Sequence, residues 1–173
     1  MEPGAHTGPP RTPATTNHLT DRAIITYVPA PLRSTTDVEV RYIETDQMGH
    51  VHHANYVAWF ELARTRLCAT SGIPYADVET MGYLMVVTGI EVRYRQPAHY
   101  GQTVAVTAWI DRLGSRLTRF AYEVRHGETL LATGASEHIW VERESRRPCR
   151  APEILREPFA RLAGVDTAAV AAR

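Results

Sequence analysis

The residues of this chain best suited to chemistry lie together in one short segment, Arg41–Tyr56. It contains a carboxylate, a glycine and three histidines: Asp46, Gly49, His50, His52 and His53. An alternating apolar stretch precedes the segment and a helical pattern follows it, so it connects a strand to the start of a helix, where backbone N–H groups lack intrahelical partners. A carboxylate there can activate water or attack a carbonyl carbon, and the N–H groups can stabilise the resulting oxyanion. The residues alone favour a simpler role for Asp46 in a turn or cap.

The histidines of this segment are also candidate metal ligands. His50 and His52 stand two residues apart, so their side chains can share one face of an extended loop and could bind zinc or iron. No fourth ligand follows at a recognisable spacing, because the next histidines lie on other predicted elements. We therefore expect activity without a metal or any other cofactor. A metal-dependent enzyme that uses His50, His52 and His53 is an alternative.

Hydrophobic periodicity predicts the elements around this segment. Apolar and charged residues alternate from Val38 to Tyr42, which predicts a strand. Apolar residues at helical spacing predict a helix over about 54–70, which Ser71-Gly72 ends, and a short helical turn between Pro74 and Met81. A weaker apolar run, Ala23–Val28, could add a strand.

The second half of the chain changes to a period of two. Four alternating segments predict strands: Ile90–Tyr94, Val104–Ile110, Phe120–Val124 and Leu130–Val141. His126-Gly127 marks a tight hairpin between the last two. Small residues at Ala132, Gly134 and Ala135 suit a helix packed closely on the last strand. The pattern predicts an α+β fold, with a curved antiparallel sheet wrapped around one long helix.

Composition excludes several classes of function. The chain has 173 residues and no net charge, so it has no global field for nucleic acid or an anionic membrane. It contains no Gly-rich phosphate loop and no nucleophile elbow of the serine hydrolases. Its two cysteines do not form a disulfide framework, and no apolar run is long enough to span a membrane, so we expect a cytoplasmic protein.

Two motifs in the sequence resemble those of a known family. They are Thr45-Asp46-x-x-Gly49-x-Val51-x-His53-Ala54-x-Tyr56, followed by Glu61-x-x-Arg64, and Tyr94-x-x-Pro97-Ala98-x-Tyr100-Gly101. Both resemble the hotdog-fold acyl-CoA thioesterases, in particular the 4-hydroxybenzoyl-CoA thioesterase family and its Tol-Pal-associated branch. The resemblance is specific at the Asp46 segment and looser through the strands.

The resemblance implies roles for named residues. Asp46 matches the catalytic aspartate, as general base or nucleophile, and His53 would assist it. Four residues would position the substrate or bind the oxyanion: Gly49, Ala54, Asn55 and Tyr56. Trp59 would form part of the pocket wall. Four arginines are candidate contacts for the CoA phosphates, which arginine binds well: Arg93, Arg95, Arg146 and Arg147.

Composition and the resemblance together predict how the chain is organised. Residues 1–17 have few apolar residues and many Pro and Gly, so we expect a disordered leader there. We further expect a poorly defined extension over 18–35, a hotdog thioesterase domain over 36–152 and a C-terminal extension over 153–173. Hotdog proteins of this type work as dimers, often paired again into tetramers, with active sites at the dimer seam.

The expected function is hydrolysis of an acyl-CoA, or of an acyl group on a carrier protein, to a free carboxylic acid. The substrate would be a small-molecule thioester, with neither nucleic acid nor a membrane as partner. A rival from another class is a non-catalytic acyl-CoA sensor that uses the same pocket. Acyl chain length, aromatic preference and the carrier are not encoded in any motif that we identify.

Overall fold

The computed structural model describes residues 30–171 of the chain. In chain order the elements of this range are β1 (Ser34–Glu39), a 3₁₀ turn (Tyr42–Glu44), α1 (Asn55–Ala69), α2 (Tyr75–Thr80), β2 (Tyr83–Tyr94), β3 (Thr103–Leu113), β4 (Leu117–His126), β5 (Thr129–Glu142), α3 (Glu153–Ala163) and α4 (Thr167–Ala171). The predicted strand at Ala23–Val28 and the predicted leader over 1–17 lie outside the described residues. None of the helices between residues 30 and 171 has the length and apolar character needed to cross a membrane.

The five strands form one sheet in the order β1-β3-β4-β5-β2, and every neighbouring pair is antiparallel. Consecutive hairpins join β3, β4 and β5, and Gly127 turns the chain between the last two with a positive φ of 54°. β2 pairs with nearly the whole of β5, from Tyr83 opposite Glu142 to Tyr94 opposite Ala132. β1 and β2 are therefore the two edges of the sheet.

Helix α1 packs across the inner face of the sheet, with its start and end within about one residue of the predicted bounds. Its buried residues are Tyr56, Trp59, Phe60, Ala63, Leu67 and Cys68. A side chain at Gly134 of β5 could not fit beneath the helix, because a Cβ atom there would lie 2.4 Å from a ring carbon of Phe60. The Phe60 ring stacks on Tyr122 with centroids 4.2 Å apart. Close packing of the helix on the small residues of β5 is confirmed.

A second helix, α3, also contributes to the core. Leu155 and Phe159 of α3 are buried, and the Phe159 ring lies 5.8 Å from that of Trp140 on β5. The expectation that one long helix alone packs against the sheet is therefore too simple. Pro158 lies inside α3, where its missing N–H removes one helical hydrogen bond.

The predicted first strand was placed too late in the chain. The observed β1 ends at Glu39, before Val40 and Tyr42, because the chain turns into the 3₁₀ helix at Tyr42. The carboxylate of Glu44 accepts the backbone N–H of Arg41 at 2.8 Å and so holds this turn closed. A polar residue of β1, Thr36, is buried on the inner face, so apolar alternation alone gave the wrong bounds.

Candidate active site

Asp46 lies in a tight turn that its own carboxylate stabilises. Oδ1 accepts the backbone N–H of Met48 at 2.8 Å and that of His50 at 3.3 Å. The backbone closes the same turn, because Asp46 N–H donates to the His50 carbonyl at 2.8 Å and Gly49 N–H donates to the Asp46 carbonyl at 3.0 Å. Gly49 has a φ of 74°, in the left-handed region that favours glycine. The local sequence therefore fixes where the carboxylate points.

The second oxygen of Asp46 is not used by this turn. Among residues 30–171 no hydrogen bond reaches Oδ2, while the side chain is partly exposed and lines a cleft of about 290 Å³. His53, Tyr56, Tyr94 and Arg95 also line this cleft. The cleft thus combines a carboxylate that has one oxygen without a hydrogen-bond partner in this range, two tyrosines and the cationic Arg95.

The Asp46 turn is tied to the segment that follows β2. Val51 N–H donates to the Ala98 carbonyl at 2.8 Å, and His50 forms a β-bridge with His99. The ring of His99 reaches the Gly49 carbonyl at 3.1 Å through Nδ1. These contacts hold the two motifs that the sequence separates by about fifty residues against each other.

Glu44 supports the turn from inside the protein, and sequence reasoning missed it. The residue is 3% exposed. Its Oε1 accepts the guanidinium of Arg41 at 2.9 Å and the indole N–H of Trp59 at 3.2 Å. Its carbonyl accepts the backbone N–H of His52 and the side-chain amide of Asn55, each at 2.8 Å. One residue therefore joins the 3₁₀ turn, the Asp46 segment and the start of α1.

The charge of Glu44 is maintained despite its burial. Burial by itself raises the pKa of the carboxyl, but the hydrogen bonds from Arg41 and Trp59, with the Arg41 charge, outweigh it, so the pKa is lowered from its usual value. The carboxylate is ionised at neutral pH and can accept all three donors.

Two residues predicted to face the substrate belong to this support instead. Trp59 is 3% exposed and points its indole N–H at Glu44, so it is not a wall of the Asp46 cleft. Asn55 uses its side chain on the Glu44 carbonyl and its N–H on the His52 carbonyl, at 3.0 Å. The Ala54 N–H donates to the His52 ring at 3.3 Å. The N–H groups of Gly49, Ala54 and Asn55 are thus already engaged inside the segment.

Tyr56 and Tyr94 form the aromatic side of the cleft. Their rings meet edge to face with centroids 5.1 Å apart. The hydroxyl of Tyr94 donates to the His53 carbonyl at 3.0 Å, and that of Tyr56 accepts the Ala98 N–H at 3.3 Å. Sequence analysis placed Tyr94 in a motif without giving it a role, because its approach to His53 depends on the pairing of β2 with the sheet. His53 is therefore held through its backbone carbonyl, and it lines the cleft.

The four candidate phosphate-binding arginines separate into different places. Arg95 is exposed and lines the cleft. Arg93 pairs at 2.8 Å with Glu91, which lies two residues earlier on β2. Arg146 and Arg147 follow the end of β5, where Glu142 pairs with Tyr83 of β2. Tyr83 and Tyr94 lie at opposite ends of β2, about 36 Å apart, so these two arginines are far from the Tyr94 end of the strand. Of these four arginines, Arg95 alone lines the cleft together with Asp46.

The histidines do not converge as the metal alternative requires. The rings of His52 and His53 lie 4.1 Å apart, whereas His50 packs against His99 with ring centroids 5.2 Å apart. In the part of the chain that the structure describes, no group of three or more His, Cys, Asp or Glu side chains is arranged to hold a metal ion.

The part of the chain that contains the sheet and the Asp46 cleft is similar to known proteins. Residues 40–159 match the model of the thioesterase-like superfamily. YneP of Bacillus subtilis, a proposed acyl-CoA thioesterase, is 42% identical over 116 residues, which cover 66% of this chain and 84% of YneP. A 1,4-dihydroxy-2-naphthoyl-CoA hydrolase of Synechococcus sp. (strain CC9605) is 26% identical over 66% of this chain and 80% of its own.

A solved structure agrees with these sequence matches. The DHNA-CoA thioesterase from Staphylococcus aureus superposes with a TM-score of 0.72 at 31% identity, and the match covers 75% of this chain and 90% of that one. The expected hotdog fold is confirmed in its coarse form, as an antiparallel five-stranded sheet with helices. The chain belongs to the thioesterase-like superfamily.

Proposed function

We propose that this protein hydrolyses acyl-CoA thioesters, with Asp46 as the residue that activates or carries out the attack. The observation that carries the proposal is the division of labour between the two oxygens of Asp46. Oδ1 is held by two backbone N–H groups, and Oδ2 is left to act at the cleft. The thioesterase names of the relatives support the enzyme class, a thioester hydrolase.

Two routes follow from this geometry. As a general base, Oδ2 takes a proton from water while the water oxygen attacks the thioester carbonyl, and the CoA thiolate leaves. As a nucleophile, Oδ2 attacks the carbonyl itself and expels the CoA thiolate to form a mixed anhydride, which water then hydrolyses. Both routes place negative charge on the carbonyl oxygen. Both use the same oxygen of Asp46.

We assign stabilisation of that charge to the start of α1. Of the four residues expected to bind the oxyanion, Gly49, Ala54 and Asn55 already use their N–H groups within the segment. We therefore propose the backbone N–H of Tyr56, in the first turn of α1, as the donor to the oxyanion. The positive end of the helix dipole favours an anion at this position. The imidazole of His53 would assist by orienting the thioester or the water.

The substrate would enter with its CoA phosphates near Arg95. An exposed arginine that lines the cleft suits a phosphate, which arginine binds with paired N–H donors. We propose an acyl-CoA rather than an acyl-carrier protein as the first substrate to assay. Assignment to the 4-hydroxybenzoyl-CoA family and its Tol-Pal-associated branch remains a prediction from the motifs, as does cytoplasmic localisation.

We further propose that two copies pair through β2. This strand is a twelve-residue edge of the sheet and exposes Val86, Val87 and Ile90, each more than 40% exposed. Unpaired edges with apolar side chains favour pairing with another strand. Antiparallel pairing of two β2 strands would also bring the Arg146 end of one copy towards the Tyr94 end of the other, which would give Arg146 and Arg147 access to a CoA.

The proposed chemistry is tested by replacing Asp46 with Asn. The amide can still accept the two backbone N–H groups but cannot take a proton or attack, so we expect kcat to fall about a hundred- to ten-thousandfold. Thiol release from a panel of short, long and aryl acyl-CoAs measures it. Affinity for a non-hydrolysable acyl-CoA analogue should stay within a few-fold, because the cleft walls are unchanged.

The matched control is Asp37→Asn, which alters an exposed carboxylate on β1 outside the cleft and should retain wild-type turnover. Near-normal hydrolysis by a folded Asp46→Asn protein would contradict the assigned role. If the wild type binds acyl-CoAs but hydrolyses none, the protein is instead the acyl-CoA sensor.

A further inference from the structure

A second cleft lies between α1 and β2, farther along the helix than the Asp46 cleft. Its walls come from α1, from the exposed edge strand and from the inner face of the sheet. Its lining includes Glu61, Arg64, Ile90, Tyr122, Ser136 and His138. Its volume is about 30 Å³, enough for one group the size of a water molecule. No step of the proposed hydrolysis uses these residues.

The inner wall of this second cleft is a continuous chain of hydrogen bonds. The guanidinium of Arg64 lies 3.3 Å from Nδ1 of His138, and Nε2 of His138 lies 2.7 Å from the hydroxyl of Ser136. The Ser136 hydroxyl in turn lies 2.6 Å from that of Tyr122. His138, Ser136 and Tyr122 are each at most 5% exposed. Polar groups buried in this way normally have at least one hydrogen-bond partner.

Arg64 determines the direction of these bonds. A guanidinium only donates, so Nδ1 of His138 must be the acceptor and Nε2 must carry the ring proton, which it donates to Ser136. Burial and the Arg64 charge lower the pKa of His138 to about 3, in agreement with a neutral ring. The imidazole therefore does not take a proton from Ser136, and the pair is not an activated nucleophile.

One of the two hydroxyl protons of Ser136 and Tyr122 has no acceptor in this chain of hydrogen bonds. Ser136 and Tyr122 have two O–H groups, but only one proton can lie between their oxygens. Among residues 30–171 neither hydroxyl has a further acceptor, so one O–H remains unpaired beside the second cleft. Arg64 likewise forms no ion pair with a carboxylate in the described part of the chain. Glu61, on the same turn of α1, adds an acceptor.

These groups fit one kind of ligand atom. A hydroxyl group on a ligand can accept hydrogen bonds from Arg64 and from the unpaired O–H of Ser136 or Tyr122. It can also donate its own proton to Glu61, so it would pair with both the donors and the acceptor. A methyl group in the same place would leave the buried donors unpaired. A carboxylate would accept well but would meet the like charge of Glu61.

The two clefts adjoin along α1, because Tyr56 lines the first and Val57 the second. The polar end of the second cleft lies farther on, since Arg64 is eight residues beyond Tyr56 on α1, or about 12 Å. Along β2, Tyr94 and Ile90 give about 13 Å. An extended chain advances about 1.2 Å per bond, so roughly ten bonds separate the two positions.

We propose that this second cleft binds a hydroxyl group at the far end of the acyl chain, which makes the protein selective for medium-chain ω-hydroxyacyl thioesters. The inference rests on the proposed function, because it places the thioester carbonyl beside Asp46. It identifies Ser136 and Tyr122 as the residues that determine specificity, held in position by His138 and Arg64.

The test compares kcat/KM for decanoyl-CoA, ω-hydroxydecanoyl-CoA and the ω-carboxy analogue. The wild type should prefer the ω-hydroxy substrate over decanoyl-CoA by about tenfold or more, as expected when a buried hydroxyl gains its missing partner. Ser136→Ala and Tyr122→Phe should each bring the ratio towards one. The second variant serves if the first fails to fold. Thr107→Val, which removes a hydroxyl that pairs with Thr35 outside this cleft, should keep the wild-type ratio.

Equal rates for decanoyl-CoA and its ω-hydroxy form in the wild type would overturn the proposal and leave the second cleft as a water site. A preference that survives in both Ser136→Ala and Tyr122→Phe would overturn it too, and fastest turnover of the ω-carboxy analogue would replace the hydroxyl with an anion. Failure to hydrolyse any acyl-CoA would refute the proposed function instead. Calorimetric binding of decyl and ω-hydroxydecyl CoA thioethers then decides the inference, and equal affinities would refute it.

Discussion

Replacing Glu44 with Gln tests whether the buried support of the active-site segment has the importance that the contacts indicate. The native carboxylate accepts three donors: the backbone N–H and guanidinium of Arg41, and the indole N–H of Trp59. A glutamine has one acceptor oxygen and one NH₂ group. Whichever way the amide is turned, its NH₂ faces at least one of these donors, and a hydrogen bond is lost in the interior.

The magnitude follows from the burial of each partner. Leaving one buried donor unpaired costs about 1–3 kcal/mol. The ion pair to Arg41 adds little, because the Arg41 side chain is 71% exposed and solvent screens its charge. We expect Glu44→Gln to lower the free energy of unfolding by about 1–3 kcal/mol, which for a chain of this size lowers Tm by roughly 2–12 °C.

A pH dependence separates loss of this charge from a general packing defect. The folded state lowers the pKa of Glu44, so its contribution to stability is complete above the unfolded pKa of about 4.3 and is lost as the pH falls through the folded value. The wild type should therefore lose stability on acidification below about pH 4.3, and the difference between wild type and Glu44→Gln should shrink there.

Thermal and urea unfolding across pH 3–7 would measure the stability lost in Glu44→Gln and how that loss depends on pH. The control is Glu39→Gln, an exposed carboxylate at the end of β1, for which we expect a change of less than about 0.5 kcal/mol. Turnover by Glu44→Gln should fall as well, since a small displacement of Asp46 slows the reaction. A Glu44→Gln protein as stable as the control at every pH would refute the role that we give this residue.

Three further predictions concern packing, the leader and assembly. Gly134→Ala should lower stability by about 1–3 kcal/mol in thermal unfolding, because its Cβ would overlap the Phe60 ring, whereas Gly89→Ala has open space and should change little. Removal of 1–17 should leave both Tm and turnover close to those of the full chain, and a large loss of either would mean that this segment docks on the domain. Val86→Glu on the exposed edge of β2 should shift the protein towards monomers in light scattering, and a wild type that is already a fully active monomer would refute pairing through β2.

The sequence predicted the elements where one period dominates. Helix α1 and strands β3 to β5 follow their apolar patterns, and Gly127 marks the hairpin as expected. The first half of β2 was missed because Leu84–Val87 is a continuous apolar run in an edge strand, so it shows no alternation. Helix α3 was missed because Pro158 argues against a helix, although its buried face follows helical spacing.

The site was predictable to the extent that it is contiguous in sequence. Asp46, His53 and Tyr56 stand in one segment, and the structure places all three at the same cleft. Tyr94 and Glu44 carry no such signal. Tyr94 reaches His53 only through the pairing of β2, and Glu44 is an ordinary charged residue in sequence until Trp59 and Arg41 point at it. Contacts between distant segments require the fold, which hydrophobic periodicity does not supply.

The two roles that the sequence offers for Asp46, a turn residue and a catalytic one, are compatible, because each of its two oxygens can serve one of them. The turn bonds on Oδ1 are what a capping aspartate makes, and on their own they would favour the structural role. They also restrain the carboxyl group, because two N–H groups on one oxygen allow little rotation, and Asp46 lines the cleft while it is held in this way. A carboxylate that performs chemistry must be held within a fraction of an ångström of its target. The turn therefore supplies the positioning that the proposed reaction needs, and loss of either oxygen should be felt at the other.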